Sequence, residues 1–138
     1  TALKVPNKKA MRFLKTTEQD PQIYVERLFA VDNNVVGINQ AWFPMKKVPD
    51  MDKKSLINNS ITKTLRTYYG YEFDSVENYI GAISMDAYTA KILNSSYASP
   101  AIKFDSIYFL PNQEIIEYAS TVWVGNQTNF HLMIMPED

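Results

Sequence analysis

The chain has 138 residues, 46% of them hydrophobic and 21% charged, with 14 Lys and Arg against 15 Asp and Glu. That composition fits one globular domain and excludes disordered and fibrous classes; no apolar run approaches the roughly 20 residues of a membrane-spanning helix. There is no Cys, one His and only four Gly, which removes disulfides, zinc–thiolate centres, thiol nucleophiles and glycine-rich phosphate loops, and the near-neutral charge lacks the basic excess of a nucleic-acid grip.

In chain order, Thr1 to Lys4 leads into no apolar signal core, and a chain that does not begin with Met reads as a fragment or a processed product. Asn7 is placed to cap a short helix to Lys15, with Ala10, Phe13 and Leu14 on one face. Pro21 ends that segment. Gln22 to Val31 alternates as a strand, with Ile23, Val25, Arg27, Phe29 and Val31 sharing a face. Asp32-Asn33-Asn34 predicts a turn, and Val35 to Phe43 a returning strand stopped by Pro44, together a β-hairpin.

Met45 to Lys54 is polar and reads as a surface loop within the domain. Ser55 to Tyr69 predicts a helix with Leu56, Ile61, Leu65 and Tyr69 as its apolar positions, and Gly70 as its left-handed terminator. Phe73 to Met85 predicts a long strand with Val76, Ile80 and Ala82 on one side. Asp86 caps a short helix to Asn94. Ala101 to Leu110 and Ile115 to Val124 are strands joined by a Pro111-Asn112-Gln113 turn, and Gly125-Asn126 turns into a last strand, Asn129 to Met135. Tight turns between successive strands imply an α+β fold, one domain over residues 1–138 with a central, mostly antiparallel sheet and flanking helices.

Few residues invite chemistry. Arg27 sits in an apolar row, so it is either an internal salt-bridge or edge residue, or an anchor for a carboxylate or phosphate. Asn39 shares its strand face with Val35, Gly37, Ala41 and Phe43; it either faces solvent or presents an amide to a ligand in the room left by Gly37 and Ala41. Glu117 lines up with Ala119, Thr121 and Trp123, either on an exposed face or as a platform on which Glu117 accepts from hydroxyls and Trp123 covers a ring. If the helix that ends at Gly70 starts at Ser60 rather than Ser55, Ser60 caps it, and a ligand anion can share that terminus. His131, alone in the last strand, reads as structural, and the methionines Met85, Met133 and Met135 as core filler. No metal-ligand or catalytic-dyad spacing occurs, and no metal or cofactor is expected.

Taken in order, four segments resemble the effector-binding (UTRA) domain of GntR-type transcription regulators of the HutC branch. They are Arg27 through Asn33 with Ala41-Trp42-Phe43-Pro44; Ser60-Ile61-Thr62 with Leu65 and Tyr69-Gly70; Ile80 through Leu93; and Ile115 through Gly125 with Glu117, Tyr118 and Trp123. The resemblance runs from about Tyr24 to Phe130. It implies a chorismate-lyase-like α+β fold and a bacterial, cytoplasmic regulator, a repressor, that homodimerises. Such a regulator senses a small metabolite, by default a sugar phosphate or other small anion, and holds DNA through an N-terminal winged-helix domain not present here.

By that resemblance Arg27 is an anion anchor, Asn39 stands where the family usually has Glu, and Ser60 helps hold an anionic group. Glu117 meets ligand hydroxyls and Trp123 supplies an aromatic. Phe29 replaces a second Arg, and Asn126-Gln127 replaces the usual Asp-Arg, which weakens a dianionic phosphate as ligand. The expected activity is sensing rather than catalysis; the alternative is a small lyase with Arg27 as substrate anchor and Glu117 as acid.

Overall fold

Six antiparallel strands make one sheet in the computed structural model, which describes residues 2–4, 7–129 and 131. In chain order the elements are β1 (Ala2–Lys4), α1 (Lys8–Leu14), β2 (Gln22–Val31), β3 (Asn34–Pro44), α2 (Ile61–Tyr69), β4 (Ser75–Ser84), α3 (Ala87–Ile92), β5 (Pro100–Phe109) and β6 (Ile115–Val124). The strands lie side by side as β1-β2-β3-β6-β5-β4. Two hairpins, β2–β3 and β5–β6, therefore meet at the centre of the sheet. This is the α+β architecture expected.

Local chemistry explains most boundaries. Asn7 Oδ1 accepts from the N–H of Ala10 at 3.0 Å and starts α1, and Asp86 Oδ1 accepts from the N–H of Thr89 at 2.7 Å and starts α3. Asp32 and Asn33 have φ of 51° and 66°, as a two-residue hairpin turn with a primed geometry requires. Gly70, at φ 70°, closes α2 by donating its N–H to the carbonyl of Arg66.

The sheet has two unlike faces. One carries Ile23, Val25, Arg27 and Phe29 of β2, Gly37, Asn39, Ala41 and Phe43 of β3, and Glu117, Ala119, Thr121 and Trp123 of β6, by strand alternation and register. Ile61 and Leu65 of α2 cover part of it, together with Val48 and Met51. The other face packs Ala10 and Leu14 of α1 on Trp42 and Tyr118, and Ala90 with Met85 and Leu93 around α3 on Ile38, Ala101 and Val122.

Four expectations change. The loop after β3 is not a surface loop: Val48 and Met51 are 0% and 1% exposed and complete the main core, held by two short 3-10 turns. The second helix begins at Ile61 rather than Ser55, because Asn58 and Asn59 adopt φ of 51° and 55° and no helix runs through two left-handed residues. In the β2–β3 ladder Phe29 pairs with Gly37 but Ala30 with Val35, so a bulge at Val36 turns Val35 onto the other face, against the cluster around Ile38. The three-residue β1, edge partner of β2, was not expected from sequence. The predicted strand Asn129 to Met135 lies largely outside the described residues, as do Met133 and Met135.

Among the described residues β4 is an edge strand, exposed along nearly its whole length, with Val76 and Ile80 at 42% and 55%. Its predicted apolar stripe is present but meets no helix.

Candidate functional site

Cross-strand register places Arg27, Asn39 and Thr121 in one row across β2, β3 and β6. The row is wired. Nε and Nη2 of Arg27 donate to Asn39 Oδ1 at 3.2 and 3.0 Å, and Asn39 Nδ2 donates to Thr121 Oγ1 at 2.9 Å. Nη1 of Arg27 donates to the carbonyl of Asn59 at 3.2 Å, next to the cap of α2. A guanidinium has five N–H donors, so two point at neither partner.

Arg27 is half-buried, and none of the ion pairs among the described residues includes it. The salt-bridge reading is thereby set aside. Burial draws its pKa below the usual value, opposed by the fields of Glu117 and Tyr108, yet a guanidinium stays charged at any physiological pH. Asn39 is 4% exposed, so it does not face solvent.

Glu117 is 2% exposed, and its Oε1 has no hydrogen-bond partner. It is not on an exposed face. Burial pushes its carboxyl up to about 8, against the pull of the Arg27 guanidinium. Tyr108 pairs with Glu117 across β5 and β6, and burial, with the Glu117 charge, pushes its phenol up to about 12.

Trp123 closes one end. Its ring stacks on Phe29 with centroids 5.0 Å apart and planes at 17°, and Arg27 Cζ lies 5.4 Å from the Phe29 centroid. Gly37 does not leave ligand room as expected: a Cβ there would stand 2.5 Å from Trp123 Cε3, so the indole fills that space. Ser60 caps α2 as expected, its Oγ accepting from the N–H of Lys63 at 3.1 Å. Of the sequence-predicted residues Arg27 bonds Asn39 directly; Ser60 follows the Asn59 whose carbonyl Arg27 reaches, Trp123 stacks on the Phe29 beside Arg27, and Glu117 shares the sheet face without a hydrogen bond to Arg27.

Sequence reasoning missed three members. Thr121 was visible only as a small neighbour of Glu117, Tyr108 becomes a neighbour only once the β5–β6 register is known, and the Asn59 carbonyl is a backbone group no composition reveals. Chemically the set offers one unpaired cation, a buried protonatable carboxyl, an amide and a hydroxyl against an aromatic wall. That is binding chemistry for a small anion with further polar groups. A separate cleft of about 590 Å³ opens beside Asn34, Leu93, Asn94 and Ser99, but no charged side chain lines it. Among the described residues no group of three or more His, Asp or Glu lies close enough to hold a metal, and no helix is long and apolar enough to cross a membrane.

Comparison with known proteins bears on this geometry. No curated protein sequence matches. Solved structures do, and the likeness is in fold. The C-terminal domain of Yurk from Bacillus subtilis subsp. subtilis str. 168 superposes with a TM-score of 0.88 at 15% identity, covering 94% of this chain and 89% of that one. A GntR-family transcriptional regulator from Enterococcus faecalis V583 gives 0.86 at 22% identity, covering 96% and 95%. PhnF from Mycobacterium smegmatis gives 0.88 at 17% identity over 99% of this chain but only 60% of PhnF. The sequence model of the UTRA domain matches residues 2–129, nearly the whole chain, and the chain belongs to the UTRA domain family.

Proposed function

We propose that this domain is the effector-sensing part of a GntR-type, HutC-branch transcriptional regulator. It takes a small metabolite bearing an anionic group, by default a sugar phosphate, between Arg27, Asn39, Ser60, Glu117 and Trp123. The observation that carries the reading is Arg27. It is a half-buried cation on a largely apolar sheet face, aimed by a neutral amide and a backbone carbonyl, with no carboxylate in ion-pair contact among the described residues. A charge held that way favours an anion from outside the chain.

DNA binding belongs to a separate N-terminal winged-helix domain, and the protein acts in the cytoplasm as a repressor. The share of PhnF left uncovered by this chain leaves room for such a domain. Effector binding alters the geometry of a homodimer and so the spacing of two DNA-binding heads. Among the described residues no strand flanks β4 on its outer side, which supports dimerisation, since two copies of an exposed antiparallel strand can pair about a two-fold axis.

A thermal-shift screen against sugar phosphates, sugars, amino acids and small carboxylates tests the reading. A ligand at a hundredfold excess over its Kd adds about 2.7 kcal/mol of stability. A clear rise in Tm with an anionic compound is expected; a flat response across the set contradicts it. A protonatable buried Glu117 also suits a general acid, so the same incubations followed by NMR separate sensing from turnover. Intact compound is expected, and consumption favours the lyase alternative.

A further inference from the structure

Among the described residues Glu117 is the one fully buried acid, and its place in the anion site leaves its protonation state open. Its Oε1 is sealed from water and receives no hydrogen bond. Leaving a charge in such a place costs far more than keeping the proton.

The surroundings on every side agree. The titratable groups whose fields couple to it are Arg27 from β2 and Tyr108 from β5. The buried residues of α2 are Ile61, Thr64 and Leu65, and those of the preceding loop are Val48 and Met51, none of which ionises. β3 contributes Ala41 and Phe43. Tyr69 and Tyr71 pack on the same core but donate their hydroxyls to the carbonyls of Pro49 and Lys47, at 2.7 and 2.8 Å.

We propose that Glu117 enters the site as an uncharged carboxylic acid, a hydrogen-bond donor to the effector, and that an anion on Arg27 and a proton on Glu117 are held together. The inference rests on the effector-site reading and deepens it. Arg27 is the cation that favours ionised Glu117. An anion seated on Arg27 cancels that field and tightens the hold on the proton. Effector affinity then falls as pH rises past the Glu117 midpoint. The complementary ligand has an anionic group for Arg27 and an acceptor, a hydroxyl or carbonyl oxygen, for the acid proton.

The test needs no ligand. In protein labelled with 13C at glutamate carboxyls, the Glu117 signal is identified by its loss in Glu117→Gln and followed from pH 5 to 10. The midpoint should lie near 8 in the native domain. It should move upward in Arg27→Met, which removes the cation as a bound anion would. Should Arg27→Met not fold, Arg27→Gln, which retains an amide donor toward Asn39, makes the same comparison. A midpoint in the ordinary carboxylate range of about 4 to 5 overturns the proposal. So does a high midpoint that neither Arg27 variant moves. Either failure leaves the effector-site reading standing on its own thermal-shift result, and a flat screen beside a high, Arg27-sensitive midpoint would remove that reading while leaving the neutral acid in place.

Discussion

Asn39 Oδ1 accepts two hydrogen bonds from Arg27, from Nε at 3.2 Å and from Nη2 at 3.0 Å, so the guanidinium is oriented by a neutral amide instead of being neutralised by a carboxylate. The site keeps a positive charge that a carboxylate at position 39 would cancel.

Asn39→Asp should convert that orienting bond into an ion pair. Stability is expected to change by no more than about 1 kcal/mol, because the new ion pair is offset by burying a carboxylate and by losing the Asn39 Nδ2 donor to Thr121 Oγ1. Anion affinity should fall at least tenfold, about 1.4 kcal/mol, since the cation is then paired internally. Urea unfolding and calorimetric titration read the two effects separately; unchanged affinity would mean that Arg27 does not receive the anion.

Glu117→Gln should change how stability depends on pH. The folded-state carboxyl is raised from an ordinary 4.5 to about 8. Its contribution is fully present below 4.5 and is lost as pH rises through 8, because the folded state resists an ionisation that the unfolded state accepts. Relative to the Gln variant, the native domain should therefore lose on the order of a few kcal/mol between pH 5 and pH 8.5. Urea unfolding at those two values measures it. Parallel stabilities would place Glu117 in a wetter or better-paired setting than the one described.

Gly37→Ala should push on the indole, because the added Cβ would stand 2.5 Å from Trp123 Cε3. Overpacking of this kind costs about 1–3 kcal/mol. In a Trp42→Phe background the Trp123 fluorescence should shift as its stack on Phe29 is disturbed. An unshifted spectrum at native stability would show that the ring yields freely.

Much of this was legible beforehand, for identifiable reasons. β2 and β6 match their predicted bounds because alternation, hairpin turns and flanking prolines or glycines are local signals. Asn7, Gly70 and Asp86 cap where expected, and Ser60 caps α2 because the helix takes the shorter of its two possible starts; capping is decided by a few adjacent atoms. What escaped depends on distance in sequence. Polar spacing marked residues 45–54 as surface, yet Val48 and Met51 are drawn into the core by an α2 that follows them. Asn39 and Glu117 each left a solvent-facing and a ligand-facing reading open, because a strand pattern shows which residues share a face but not which face is covered. Tyr108 joins Glu117 only through the register of β5 on β6.

Ile80→Lys addresses assembly. Ile80 is 55% exposed on the β4 edge, where an added charge disfavours strand-to-strand pairing. If β4 forms the dimer contact, light scattering should show the variant as a monomer at concentrations where the native domain is dimeric, with an unchanged circular dichroism spectrum. A variant that dimerises normally would move the contact elsewhere.

The central claim, that Arg27 anchors an anionic effector, is tested most directly by calorimetric titration of the compound giving the largest thermal shift into the native domain and into Arg27→Ala. Affinity should fall at least a hundredfold, about 2.7 kcal/mol, with the variant still folded and destabilised by only about 1–3 kcal/mol from the acceptor left on Asn39. Equal affinity in the two proteins would contradict it.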